Sequence, residues 1–122
     1  MAARRRVARQ DLLAPSEWKV FWVLSQRNPL NVAEISRELS RHDPEFSLSE
    51  NTIRTYVKRL EQKGYLSGGA ATDFTYRPSV PFEVALRFHV NRFLEQFALG
   101  GREDLEIVLE VVKKRLESPL PL

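Results

Sequence analysis

Apolar residues recur in helical rhythm along most of this chain, and the rhythm changes to period two only once. In PSEWKVFWVLSQ, Trp18, Phe21, Trp22 and Ser25 fall at i, i+3, i+4 and i+7, and Val20, Val23 and Leu24 widen that face. The pattern predicts a mostly buried helix with both tryptophans in the core. Pro15 suits its first turn, Ala14 is a poor cap, and Asn28-Pro29 ends it. Leu30 has room for a very short strand. Asn31 and Glu34 then make a capping-box start for a second helix that presents Val32, Ile35 and Leu39 and ends near Ser40. Pro44 makes RHDPEF a loop, which places His42 as an exposed loop residue.

Residues 47–66 read SLSENTIRTYVKRLEQKGYL. Ser47 or Ser49 caps a third helix, and Gly64 stops it as a left-handed C′ residue. Ile53, Val57 and Leu60 lie within about 60° of one another on a helical wheel, with Tyr56 beside them, so the inward stripe is narrow. YLS and DFTYR then read as two strands around the small, flexible GGAAT. Phe74 and Tyr76 alternate with Thr75 and Arg77, as a half-buried strand requires. Helix, short strand, helix, helix and hairpin is the order of a winged helix-turn-helix.

Pro78 and Pro81 open a different region. FEVALRFHVNRFLEQFAL puts Phe82, Ala85, Leu86, His89, Phe93 and Phe97 on one stripe, flanked by Val90 and Leu94, and Gly100-Gly101 ends that helix. A last helix carries Leu105, Val108, Leu109, Val112 and Leu116, with acids at its start and Lys113, Lys114 and Arg115 at its end, as the macrodipole favours. These stripes are too wide for the partner surface that one short chain can offer. They predict a second copy of the chain as cover, with Phe82, Leu86, His89, Phe93, Phe97, Leu105, Val108, Leu109 and Val112 at the dimer interface. The expected fold is mainly α with a small β-hairpin. Its parts are a flexible basic arm at 1–13, a winged-helix domain at 14–78 and a helical dimerisation region at 79–122.

The chain has 122 residues, 43% of them hydrophobic, which is enough to bury a core. It has no cysteine, so disulfides and thiolate chemistry are excluded. His42 and His89 are not spaced as a metal pair. No Gly-rich phosphate loop, H-E-x-x-H or nucleophile elbow is present, so neither an enzyme nor a cofactor is expected. No apolar run approaches the ~20 residues that span a bilayer, and the Arg-rich start lacks the apolar core of a signal peptide. A cytoplasmic protein without a membrane partner is therefore the default.

Net charge is +3, and its placement matters more than its size. The surplus sits in Arg4, Arg5, Arg6 and Arg9 against Asp11, and locally in Arg54, Lys58, Arg59 and Lys63 against Glu61. A basic arm beside a basic helix suits double-stranded DNA. On the third helix, Asn51, Thr55 and Lys58 point away from Ile53 and Val57, with Thr52 and Arg54 on the flanks. Asn pairs with adenine, Arg or Lys with guanine, and the Thr methyl with thymine. Asn51, Thr52, Arg54 and Thr55 are the candidate base readers. Ser49 and Lys58 are assigned phosphate or mixed roles, Arg59 a phosphate role, and Arg77 a reach to the backbone. The wing SGGAATD has no cation at its tip and carries Asp73, so it should contribute less than usual, with the Arg4–Arg9 arm compensating along the minor groove or backbone. A winged helix that serves only as a protein–protein adaptor, its charges simply solvated, is the alternative.

PSEWKVFWVL, NVAEISREL, SENTIRTYVKRLEQKGYL and FTYRPSV together resemble the penicillinase-repressor family of bacterial regulators. The resemblance runs from about residue 13 to 112 and includes FLEQFALGG; the run T-I-x-T-x-x-x-R-L-x-x-K-G, Thr52 to Gly64, is its specific part. It implies a winged-helix DNA-binding domain, a C-terminal dimerisation domain, and a homodimer that represses transcription from a palindromic operator. The copper-responsive relatives carry a cysteine metal site, which a cysteine-free chain excludes. In the β-lactam repressors the dimerisation region is cleaved at an Asn-Phe pair; the matching bond here is Val108-Leu109, and the chain ends soon after Glu117 without a further helix. A sensor protease or another inducing signal is thus left open as the further partner.

Overall fold

The computed structural model describes residues 12–118. Helix α1 (Pro15–Gln26), α2 (Val32–His42) and α3 (Glu50–Gln62) precede a hairpin of β1 (Leu66–Gly69) and β2 (Thr75–Pro78), joined through a 3-10 turn at Ala70–Thr72. Two longer helices follow, α4 (Phe82–Phe97) and α5 (Arg102–Glu117). The chain divides between Ala85 and Leu86 into two compact units, so the first turn of α4 belongs with the unit before it.

In that first unit, α1 supplies Val20, Phe21, Val23 and Leu24, α2 adds Ile35 and Leu39, and α3 adds Ile53, Val57 and Leu60, all buried. Tyr65 sets its ring edge-on to Phe21 at 5.5 Å. Trp18 and Trp22 are half-buried against this core. The strands pair antiparallel, with Ser67 opposite Arg77 and Gly68 opposite Tyr76. On the other edge of β2, Leu30 exchanges two backbone hydrogen bonds with Tyr76, at 3.2 and 2.9 Å. The one-residue strand expected at Leu30 is therefore present. Gly68 has no room for a side chain, because a Cβ there would sit 2.9 Å from Tyr76 Cα.

Helix α3 stops as its sequence demands. Gly64 has φ 88°; its N–H donates to the Glu61 carbonyl, and Tyr65 N–H donates to that of Leu60. This is a Schellman closure, with the buried Tyr65 ring as its apolar contact. The far end of the hairpin returns to the same point. Ser79 donates from its N–H to Tyr65 O (2.8 Å) and from its hydroxyl to Gly64 O (3.0 Å).

Three local readings give way to the structure. His42 is the last residue of α2, not a loop residue. Its ring meets Trp22 edge-on at 4.8 Å, and its Nε2 lies 3.7 Å from Glu38, which also holds Arg27 at 2.8 Å. Those contacts carry the helix past Ser40. Phe74 is not a strand residue: with φ 60° it sits in the turn, largely exposed, and only Tyr76 keeps the half-buried strand position. Phe82, expected on the dimer stripe, is taken up by the first unit's core, 5.4 Å from Trp18 and stacked 6.1 Å from Phe21.

The start of α1 solves the problem posed by its poor cap. Ala14 offers no side-chain acceptor, but its own N–H donates to Glu17 Oε1 at 2.9 Å, the reciprocal half of a capping box. Glu17 is buried, and Lys63 Nζ reaches it at 2.9 Å while also donating to the Leu12 carbonyl at 3.2 Å. Burial by itself raises the Glu17 pKa. The Ala14 N–H, the Lys63 hydrogen bond and charge, and nearby Arg59 outweigh it, leaving the pKa below its ordinary 4.5. A carboxylate whose folded pKa is depressed stabilises the fold above its unfolded value and loses that contribution as pH falls through the folded one. Lys63→Met should cost about 2 kcal/mol at pH 7 in urea unfolding, because it strands a buried carboxylate. The acid-side fall in stability below pH 4.5 should be correspondingly shallower in the variant, since the group that holds the pKa down is gone.

Candidate nucleic-acid interface

The narrow inward stripe of α3 leaves the rest of its circumference to solvent. Ile53, Val57 and Leu60 face the core, while Asn51, Arg54, Thr55, Lys58 and Arg59 are exposed. Ser49 is the cap: its Oγ accepts from Thr52 N–H at 3.1 Å and lies 2.9 Å from Thr52 Oγ1. That leaves Ser47 in the preceding loop. Thr52, expected to read bases, is half-buried and spends its hydroxyl on the cap.

The remaining candidate readers are not independent of one another. Arg54 Nη1 donates to Asn51 Oδ1 at 2.9 Å, and its Nη2 lies 3.8 Å from Glu50. The guanidinium is thereby held across the outer face of the helix, with further N–H groups to offer. The Thr55 hydroxyl donates back to the Asn51 carbonyl at 3.2 Å. Arg59 lies over the Tyr56 ring at 5.8 Å and contributes to the field at Glu17, so it stands on the α1 side of the helix.

Lys58 and Arg54 line a cleft of about 480 Å³ together with Asn31, Val32 and Ala33 at the start of α2, Glu50, Phe74 and Tyr76. Three elements of the first unit thus open onto one surface. The Tyr76 hydroxyl pKa is raised, mainly by burial and further by Glu61, although Arg54 opposes the shift, so the group is a neutral hydrogen-bonding partner at neutral pH. Arg77 is exposed on β2 opposite Ser67. Arg4, Arg5 and Arg6 lie outside the described residues.

In the second unit, Leu86, Phe93, Phe97, Leu105, Leu109 and Val112 are exposed, and His89 and Val108 are half-buried. The His89 ring meets Phe88 edge-on at 5.6 Å. Two residues were missed by the stripe: Ile107 and Val111 are also exposed, and at 100° per residue they widen the apolar face of α5 well beyond the sector of Leu105 and Val112. The run IVLEVV held that signal, because its five apolar positions spread too far around the helix to fit a narrow stripe. Among the described residues no helix is long and apolar enough to cross a membrane, and no group of His, Asp and Glu side chains is placed to hold a metal ion.

The family model described as penicillinase repressor matches residues 13–118. The chain belongs to the penicillinase repressor family. As a member, it is a winged-helix transcriptional regulator, and α3 occupies the place of the helix that follows the turn in that fold. Among solved structures it is similar to a MarR/EmrR family transcriptional regulator from Acinetobacter sp. ADP1. There the identity is 22%, over 86% of this chain and 77% of that one, with a TM-score of 0.46. No curated protein matches it.

The cap of α3 gives a prediction about the site's own support. Ser49→Ala should lower stability by about 1 kcal/mol in urea unfolding, because one N-terminal N–H loses its acceptor. Ser49→Asp, which caps equally well, should restore it.

Proposed function

We propose that this penicillinase-repressor family member binds duplex DNA sequence-specifically as a homodimer and represses transcription from a palindromic operator. The observation that carries the reading is the outer face of α3, where Asn51, Arg54, Thr55 and Lys58 stand exposed over a buried stripe of only three residues. A helix entering a ~12 Å major groove needs that profile. On this reading Asn51 and Arg54 read bases as a linked pair, and Thr55 offers its methyl to thymine. Lys58, Arg59, Arg77 and the Ser49 end of the helix meet phosphates. Thr52 serves by holding the cap. Arg4, Arg5 and Arg6 add contacts along the minor groove or the DNA backbone.

The dimer is supported by what α4 and α5 leave uncovered. Helix α5 leaves a wide apolar face exposed, with Ile107 and Val111 extending the sector of Leu105, Leu109 and Val112. An exposed apolar face that wide calls for cover, and a second copy supplies it through a two-fold interface. The same two-fold axis would present two α3 helices to two half-sites about one DNA turn apart.

Three outcomes follow. The protein should bind duplex from its own promoter region far more tightly than random duplex at about 0.15 M salt, with affinity falling by orders of magnitude as salt rises; equal binding of both duplexes would leave the adaptor reading in its place. Arg54→Ala should relax sequence preference, whereas Arg5→Ala should weaken all duplexes alike and flatten the salt slope by about one. Leu109→Glu should convert the dimer to monomer in sedimentation, and a wild-type monomer would sink the two-fold assembly.

A further inference from the structure

Of the large apolar side chains exposed among the described residues, all lie on α4, on α5 or between them except one. That one is Phe74, 62% exposed beside β2. Asp73 and Phe74 both take left-handed backbone, at φ 59° and 60°. Asparagine and glycine tolerate that region, but a bulky aromatic there is a genuine outlier. An exposed ring on an unfavourable backbone benefits the isolated chain in neither way.

The turn nevertheless holds it firmly. Phe74 N–H donates to Gly69 O at 2.7 Å, Thr72 Oγ1 donates to Thr75 O at 2.8 Å, and Thr75 Oγ1 donates to Thr72 O at 2.7 Å. The backbone that carries the ring is held in place, and the ring lines the same cleft as Arg54 and Lys58 of α3. The cleft's cations, Arg54 and Lys58, are already assigned to bases and phosphate, while Asp73 beside the ring and Glu50, 3.8 Å from Arg54, add negative charge near it. What remains for such a tip is the apolar part of DNA.

Resting on the DNA-binding reading above, we infer that Phe74 is an apolar wing contact. With α3 in the major groove, the Phe74 ring meets the deoxyribose and base edges of the neighbouring minor groove and wedges partly between base pairs. Apolar wedges of this kind unstack a step and bend the duplex. The step beneath the ring should therefore be a flexible pyrimidine–purine one. The wing then compensates for its missing cations with a contact that releases no counterions and is insensitive to salt.

Phe74→Gly provides the test, because glycine relieves the left-handed strain while deleting the ring. Thermal stability of the variant should equal or exceed wild type, and its affinity for the promoter duplex should fall about 10-fold with an unchanged salt slope. Phe74→Leu should recover part of the loss, and bending of circularly permuted fragments should decrease in Phe74→Gly. Lys58→Ala, by contrast, should flatten the slope. Wild-type affinity in Phe74→Gly, or a loss that appears only as a changed slope, overturns the inference while leaving sequence-specific binding intact. A Phe74→Gly protein that dissociates to monomer in sedimentation also overturns it, because the ring would then serve self-association. If wild type itself does not prefer the promoter duplex, both readings fall together.

Discussion

One buried carboxylate fixes the geometry on which the rest of the first unit depends. Glu17 closes the start of α1 through the Ala14 N–H and ties it to the end of α3 through Lys63. Two helices far apart in sequence share a charged joint, and the three-residue stripe Ile53, Val57 and Leu60 supplies the apolar area around it. A stripe that narrow leaves a helix free to roll about its own axis. A polar clamp at one end resists rolling in a way that apolar contact, being non-directional, does not. The outer face of α3 can therefore be polar and still be aimed.

The helices, and their ends apart from that of α2, were legible in the sequence because both are local. The spacing of Trp18, Phe21 and Trp22, the Asn31–Glu34 box and the stop at Gly64 each need only a few neighbouring residues. The narrow stripe of α3 was equally plain, and with it the division between inward and outward residues. What escaped was decided by partners distant in the chain. Lys63 looked like one more surface cation until Glu17, 46 positions earlier, was placed beside it. His42 looked like a loop residue because Pro44 dominates the local reading, whereas Trp22 and Glu38 hold it in the helix. Phe74 fitted the alternation of a strand, but the alternation cannot show that a 3-10 turn consumes the preceding residues and tips the backbone into left-handed space.

The two units differ in how completely they satisfy themselves. The first buries its large apolar residues around Phe21 and Tyr65, leaving only Phe74 and Val84 exposed among the described residues, and recruits Phe82 from the start of α4. The second leaves large apolar side chains exposed along both α4 and α5. Composition alone does not separate these cases, since both stretches are rich in Val, Leu and Phe. The difference lies in whether, among the described residues, a face is covered within its own unit.

The joint at Gly64, Tyr65 and Ser79 has one more consequence. There is no linker between α3 and the hairpin: the glycine that ends the helix accepts the hydroxyl proton of the residue that follows the second strand. Helix and wing are thus two arms of a rigid caliper whose opening is set by a few backbone hydrogen bonds. On a DNA target, such a caliper would measure distance as well as sequence, and inserting a single base pair between the points its arms touch would displace one of them by a rise and a twist it cannot follow.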